Sequence, residues 1–145
     1  MALSGITKPT LKKLGGEAFC FMAEPQIAEK AKADGTTRAV ASVSYASEKY
    51  PNAVFAVGNA PTALIKLSEL IREGFRPSLV IGVPVGFVNV VESKEEIFEL
   101  CKEKGIPAIV AKGRKGGSNV AAAICNALLY AAGDLTDPSK RGWRG

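Results

Sequence analysis

Short apolar runs alternate along the chain with longer segments in which apolar residues recur every three to four positions. The short runs predict strands, and the longer periodic segments predict helices. Strands are predicted at 17–22, 53–57, 78–83 and 107–112, and helices at 25–34, 37–50, 61–73, 92–105 and 118–132. Such alternation is typical of a parallel sheet with helices on both faces. The pattern therefore predicts an α/β fold with three layers, α/β/α, and a mainly parallel sheet.

Proline and glycine mark the ends of several predicted helices. Pro25 and Pro61 occupy first turns, where a proline costs no hydrogen bond, and Gly35 and Gly74 follow last turns. The final helix, 118–132, contains no charged residue. We therefore expect it to be buried, with an alanine-rich surface suited to packing against another subunit.

Length and composition indicate one folded domain. The chain has 145 residues, of which 47% are hydrophobic and 23% are charged, which is enough apolar material for a core. We assign residues 1–133 to a single domain and residues 134–145, which combine turn formers with charge, to a loosely ordered tail. No apolar run approaches the roughly 18 residues of a membrane span, and we find no signal segment. We therefore expect a cytoplasmic protein without a membrane partner.

Charge and cysteine content narrow the range of partners. Nineteen Lys and Arg against 14 Asp and Glu give a net charge of +5, which suits an anionic partner. Aromatic residues are few and no basic stripe is interleaved with them, so nucleic acid is not expected. The three cysteines form no C-x-x-C pair and the chain has no histidine, so we expect free thiols and no metal site.

The predicted strands end in glycine-containing loops that lead into helices, and ligands of open parallel sheets bind at that edge. In the loop "GNAPT", Gly58 permits close backbone approach, and the amide of Asn59 can both donate and accept hydrogen bonds. Thr62 lies at the start of the following helix, within reach of a ligand. The alternative is a well-capped turn in which Asn59 is the helix N-cap.

A second loop, "GVPVGFVNVVESK", spans 82–94 and is long for a connection from a strand to a helix. It contains Gly86 and apolar side chains such as Phe87, which suit a large flat organic ligand or a second subunit. The alternative is that the loop packs inward.

A third loop, "KGRKGGSN", combines cations with successive glycines at a helix start. Glycine N–H groups, the helix dipole, and Arg114 or Lys115 would converge there on an anion, next to Gly117 and Ser118. The alternative is solvated charge in a flexible turn.

Two observations indicate which anion would bind: the sequence lacks the common phosphate-binding motifs, and a fourth segment contains an arginine at a helix start. Neither G-x-x-x-x-G-K-[ST] nor G-x-G-x-x-G after the first strand is present, which disfavours a phosphate or nucleotide binder. The segment "GTTR" places Thr37 and Arg38 at a helix start, where the threonine can cap and the arginine can grip a carboxylate bidentately. The alternative for Arg38 is a surface residue without a ligand.

These segments carry a resemblance to a known family. The strings "GNAPTAL", "LVIGVPVGFVNVVESKE" and "GRKGGSNVAAAICNALL" follow one another, with "GTTR" ahead of them. Together they resemble precorrin-8X methylmutase, also called precorrin isomerase, of cobalamin biosynthesis, from Met1 to about Tyr130. The resemblance implies an isomerase that moves a methyl group from C11 to C12 of a corrin precursor, yielding hydrogenobyrinate or its cobalt form. It also implies a three-layer α/β/α homodimer or higher homo-oligomer that uses no separate cofactor.

The resemblance also implies which residues contact the substrate, a broad corrin-type tetrapyrrole fringed with carboxylates. Apolar loops are expected to hold its face, and cations and glycine N–H groups to hold its acids. The expected contacts are Thr37, Arg38, Asn59, Thr62, Gly86, Phe87, Arg114, Lys115, Gly117 and Ser118.

One departure from the family pattern concerns catalysis. The resemblance implies a histidine proton donor in an N-terminal segment, and this chain contains no histidine. Its opening, "MALSGI", resembles a pattern that lies after that segment, so we expect Met1 to fall partway through the usual domain. The catalytic residue is therefore unknown, and a non-catalytic tetrapyrrole-binding protein is the alternative function.

Overall fold

The computed structural model describes residues 17–21 and 23–132. Within them the chain forms five helices and three strands. In chain order these are α1 (Pro25–Asp34), α2 (Arg38–Lys49), β1 (Val54–Val57), α3 (Pro61–Arg72), β2 (Leu79–Gly82), α4 (Val90–Lys104), β3 (Ala108–Val110) and α5 (Ser118–Ala132). The predicted tail, 134–145, lies outside the described residues.

The three strands form one sheet in the order β1-β2-β3, with both pairs parallel. Val54 lies opposite Leu79, and Val80 lies opposite Ala108. Helix α3 connects β1 to β2 and helix α4 connects β2 to β3, so every strand ends at the same edge of the sheet. The predicted α/β class and parallel sheet are confirmed.

Alternation along β2 divides the core between the two faces of the sheet. Val80 packs with Phe55 and Val57 against α2, α3 and α4, in a cluster that includes the fully buried Leu64 and Ile97. Ile81 and Val83 point to the other face, where they pack against Ala121 of α5. The sheet therefore lies between helices, as predicted.

The helix ends follow the local chemistry of the sequence. Pro25 and Pro61 begin α1 and α3, and Gly35 and Gly105 end α1 and α4 with φ values of 66° and 71°. Only glycine adopts this left-handed conformation at no steric cost, which explains its place after a helix. At the start of α2, the Thr37 hydroxyl oxygen accepts a hydrogen bond from the Val40 N–H at 3.2 Å.

The strand predicted at 17–22 is wrong, because residues 17–21 form no strand and residue 22 lies outside the described part. Phe19 and Phe21 instead stack on each other, with ring centroids 5.7 Å apart, and Phe19 stacks on Tyr50 at 4.9 Å. Phe21 also packs edge-on against Tyr45 of α2. The aromatic side chains of this run therefore pack against Tyr45 of α2 and Tyr50 at its end. Hydrophobicity alone cannot distinguish such packing from pairing in a sheet.

Two further expectations need correction. Among the described residues of α5, only Ala121 and Ala122 are buried, whereas Val120 and Leu128 are 36% and 39% exposed. The helix packs on the sheet along one narrow stripe, so its apolar composition does not reflect burial within this chain. In addition, α4 begins at Val90, which shortens the loop predicted at 82–94 to residues 83–89.

Candidate functional site

The loops that follow the three strands meet at the carboxyl edge of the sheet. Gly58, directly after β1, lies against the start of α5: a Cβ added to it would stand 2.9 Å from Ser118 Cα and 3.1 Å from Ala121 Cβ. At these distances there is no room for a side chain at position 58. The loop that carries Asn59 therefore lies directly beside the N-terminus of α5.

The loops after β2 and β3 are joined by backbone contacts. The Gly117 N–H donates to the Val83 carbonyl at 2.8 Å. A Cβ added to Gly116 would stand 2.3 Å from the same oxygen, and one added to Gly117 would stand 3.7 Å from Val85 Cγ1. The Gly117 N–H is therefore used within the protein, where it fixes the loop, and the contact of Gly117 with a substrate stays a prediction.

The loop between β2 and α4 presents apolar side chains to solvent. Phe87 is 84% exposed and Val88 is 77% exposed. The loop turns at Gly86, with φ 132°, and at Asn89, the only non-glycine residue of the described part with positive φ, at 61°. The alternative of inward packing is excluded for Phe87 and Val88. Large exposed apolar side chains beside a cationic loop suit an amphipathic ligand.

The loop between β3 and α5 supplies the positive charge. Arg114 and Lys115 are exposed, whereas Lys94 of α4 lies fully buried beneath them. Lys94 Nζ donates to the carbonyls of Gly113 and Lys115 at 2.8 and 2.9 Å. Burial lowers the pKa of the Lys94 ammonium below its usual 10.5. Lys112 Nζ lies 4.4 Å from the centre of the Phe98 ring.

The exposed cations of the site have no carboxylate partner in the described part of the chain. The ion pairs there join Lys30 to Asp34, Lys66 to Glu69 and Arg72 to Glu96, and none involves Arg38, Arg114 or Lys115. An anionic ligand would therefore not have to displace an existing ion pair from these side chains.

Thr37 and Arg38 lie at the flank of this edge. A groove of about 280 Å³ between the start of α2 and helix α3 is lined by Thr36, Val40, Thr62, Ile65, Lys66 and Glu69. Thr62 thus shares a groove with Thr36 and Val40, which lie one position before Thr37 and two positions after Arg38. The Arg38 side chain is exposed. Thr37 is committed to capping α2, which is the structural role foreseen for it.

Asn59 does not cap α3, so that alternative is wrong. The N-cap is Ala60, whose side chain accepts no hydrogen bond, and Asn59 itself is exposed. Its amide therefore stands free of a capping role at the edge where the loops converge.

Sequence reasoning missed Lys94, although the sequence contains a signal for it. The residues buried on α4 recur at helical spacing: Val90, Ser93, Lys94, Ile97, Leu100 and Cys101. Lys94 stands three positions before Ile97 and seven before Cys101, so it occupies the apolar stripe of the helix. A lysine in that register is either badly placed or engaged in a specific contact.

Two negative findings hold for the described residues. They contain no cluster of three or more His, Cys, Asp or Glu side chains that could hold a metal ion. None of their helices combines the length and the hydropathy needed to span a membrane.

Comparison with protein families and curated proteins gives a consistent match. The CbiC family model, described as precorrin-8X methylmutase, matches residues 1–131. A cobalt-precorrin-8 methylmutase from Salmonella typhimurium is 50% identical over 131 residues, covering 90% of this chain and 59% of the relative. The protein of that name from Leptospira interrogans is 43% identical over 149 residues, covering 99% and 65%. The chain thus spans about three fifths of these relatives.

Solved structures give the same match. The crystal structure described as precorrin-8X methyl mutase from Thermus thermophilus superposes with a TM-score of 0.82 at 44% identity. The superposition covers 94% of this chain and 65% of that one. The described fold is therefore similar to the corresponding part of a longer protein.

Proposed function

Because the chain belongs to the precorrin-8X methylmutase family, we propose that it binds a corrin-type tetrapyrrole and moves a methyl group from C11 to C12 of this precursor. The product is hydrogenobyrinate or its cobalt form. The observation that best supports this function is the convergence of three loops, one apolar and one cationic, at the carboxyl edge of the sheet. We place the substrate there, in a cytoplasmic enzyme.

The two chemical halves of a corrin precursor match the two kinds of loop. The exposed Phe87 and Val88 offer apolar area to the face of the macrocycle. Arg114, Lys115 and Arg38 offer charge-assisted hydrogen bonds to its peripheral carboxylates. Gly86 and Gly117 leave the backbone without side chains beside the ring, and Asn59, Thr62 and Ser118 add neutral polar groups from the adjacent loops.

The reaction requires no external reactant, because one carbon–methyl bond breaks and another forms within the same molecule. The chain's own contribution is to hold the macrocycle in a fixed orientation and to neutralise its carboxylates, which avoids reorganisation of solvent during the shift. A positioned acid that protonates the ring system would add roughly 10²- to 10⁴-fold to the rate. No residue of this chain is assigned that role.

One observation favours a second candidate function. The resemblance implies a histidine proton donor, and the 145 residues contain none. A chain that keeps the loops without this acid would bind the corrinoid and orient it without rapid turnover. Non-catalytic binding of a tetrapyrrole is therefore the competing proposal.

We also propose that the protein assembles as a homodimer through α5. This helix exposes Val120 and Leu128, together with the alanines at 123 and 127, on a surface that carries no charge. Burying such a surface against a second copy would remove apolar area from water. Sedimentation of the purified chain should give twice the monomer mass, and Leu128→Lys should shift it toward the monomer. A wild-type monomer at all concentrations would refute the dimer.

Titration and turnover assays separate the two functions. Hydrogenobyrinate is titrated into the purified chain, and absorbance is recorded to obtain the dissociation constant. Conversion of precorrin-8X is followed separately in the same buffer. Arg114→Ala combined with Lys115→Ala should weaken binding at least tenfold, since charge-assisted hydrogen bonds contribute about 1.5–3 kcal/mol each. Lys102→Ala with Lys104→Ala removes the same charge at the opposite end of α4 and should change binding little.

The outcomes are distinct. Binding with turnover supports the isomerase, and binding without turnover supports the second candidate. No binding, or equal weakening by both pairs of substitutions, would refute the site itself.

A further inference from the structure

Lys94 is buried in a way that general packing does not explain. Its side chain has no solvent exposure and is the largest of the fully buried side chains in the described residues. No carboxylate in the described part pairs with it. Lysine is almost never fully buried without a partner, because removing an ammonium from water is costly. Its partners here are the carbonyls of Gly113 and Lys115.

These two hydrogen bonds determine how the loop between β3 and α5 is oriented. A trans peptide group directs its N–H opposite to its C=O, and no cis peptide bond occurs in the described residues. Because the carbonyls of Gly113 and Lys115 point at the ammonium, the N–H groups of Arg114 and Gly116 point away from it. Neither N–H donates to a backbone carbonyl of the described part. Lys94 thus sets the direction of two backbone donors in the cationic loop, which point away from its own ammonium.

From this geometry we infer that Lys94 is a positioning residue, which acts through the backbone to hold Arg114, Lys115 and the adjacent amides against the substrate carboxylates. The inference rests on the proposed function for its ligand. Lys94 cannot contact the substrate itself, because its ammonium is enclosed and both carbonyls lie against it. Burial lowers the pKa of this ammonium, so the two carbonyl bonds must compensate for lost hydration.

Lys94→Met tests the inference because methionine fills a similar volume and cannot donate. Dissociation constants for hydrogenobyrinate are compared in the wild type, in Lys94→Met, in the Arg114→Ala and Lys115→Ala pair, and in the triple variant. Lys94→Met should weaken binding about tenfold, as loss of a supporting contact commonly does. In the background that lacks the Arg114 and Lys115 side chains the same change should weaken binding by a smaller factor, because only the backbone amides remain to be misplaced. Equal effects in both backgrounds, or unchanged binding, would overturn the role.

Trypsin cleavage provides a readout that does not depend on the ligand. Cleavage after Arg114 and Lys115 should accelerate about tenfold in Lys94→Met, while cleavage after Lys104 should stay unchanged. If the wild type fails to bind hydrogenobyrinate, the proposed function fails, and the cleavage rates still decide whether Lys94 holds the loop. Equal cleavage rates in the two proteins would refute it. If Lys94→Met does not fold, Lys94→Leu, which also cannot donate, is measured instead with the same criteria.

Discussion

Gly116 is the position where a single methyl group should disturb the site most. The structure leaves no room for it, because a Cβ added there would stand 2.3 Å from the Val83 carbonyl oxygen and 2.9 Å from the Val83 carbonyl carbon. Gly116→Ala must therefore push the loop between β3 and α5 away from the end of β2. A displacement of roughly 1 Å restores an ordinary contact, and it also stretches the 2.8 Å bond from Gly117 N to Val83 O beyond hydrogen-bond distance.

The expected loss of stability combines two effects. Overpacking of a close contact costs about 1–3 kcal/mol, and loss of a hydrogen bond costs about 0.5–1.5 kcal/mol. Gly116→Ala should therefore lower the free energy of unfolding by about 1.5–4.5 kcal/mol. Gly113→Ala is the matched control, because it adds the same methyl group to the same loop with no atom within 4 Å. Its φ of 86° makes alanine unfavourable by about 1–2 kcal/mol.

Urea unfolding followed by far-ultraviolet circular dichroism measures both variants in one buffer. The midpoint for Gly116→Ala should fall further than the midpoint for Gly113→Ala, with similar m-values. If Gly113→Ala were the more destabilised variant, backbone conformation rather than the contact with Val83 would dominate, and the reasoning would be wrong. The same holds if Gly116→Ala unfolds at the wild-type midpoint.

Two further predictions concern the flanks of the site and the core. Thr37→Ala should lower the free energy of unfolding by about 0.5–2 kcal/mol, because the Val40 N–H loses its acceptor. Thr36→Ala serves as the control. Equal urea midpoints for the two variants would contradict the role of Thr37 as the helix cap. Burial raises the pKa of the Cys101 thiol above 9.0, whereas Cys20 is exposed. At pH 8 a thiol reagent should therefore modify Cys20 at once and Cys101 only after unfolding; mass spectrometry showing equal rates would exclude this packing.

Local sequence signals predicted those parts of the fold that local chemistry determines. Pro61 and Gly35 marked helix boundaries because their backbone restrictions act within a few residues. The run at 17–22 was misassigned because apolar side chains favour burial without specifying the partner, and here the partner is the aromatic face of Tyr50. Leu128 on α5 is exposed because no other described part of the chain covers it. The spacing of apolar residues along a helix does not show whether a partner surface is present.

The sequence predicted which loops meet at the candidate site better than it predicted what individual residues do there. Parallel topology alone brings Gly58, Val83 and Gly117 to one edge of the sheet. The hydrogen bond of the Gly117 N–H could not be predicted, because the carbonyl that accepts it lies 34 positions earlier in the chain. Lys94 was missed because its acceptors are backbone carbonyls, which any sequence supplies and none specifies.

The buried and the exposed cations of this edge should respond differently to salt, and that difference bears on how the loop works. Charges on Arg114 and Lys115 face solvent, where salt at 0.1 M screens interactions beyond about 10 Å. Lys94 is enclosed, so added salt has little access to its two carbonyl bonds. Raising ionic strength should therefore weaken capture of an anionic ligand while the loop keeps its shape. The proposed site would thus separate two tasks: exposed cations would attract the ligand, and a buried cation would keep the backbone donors oriented for it.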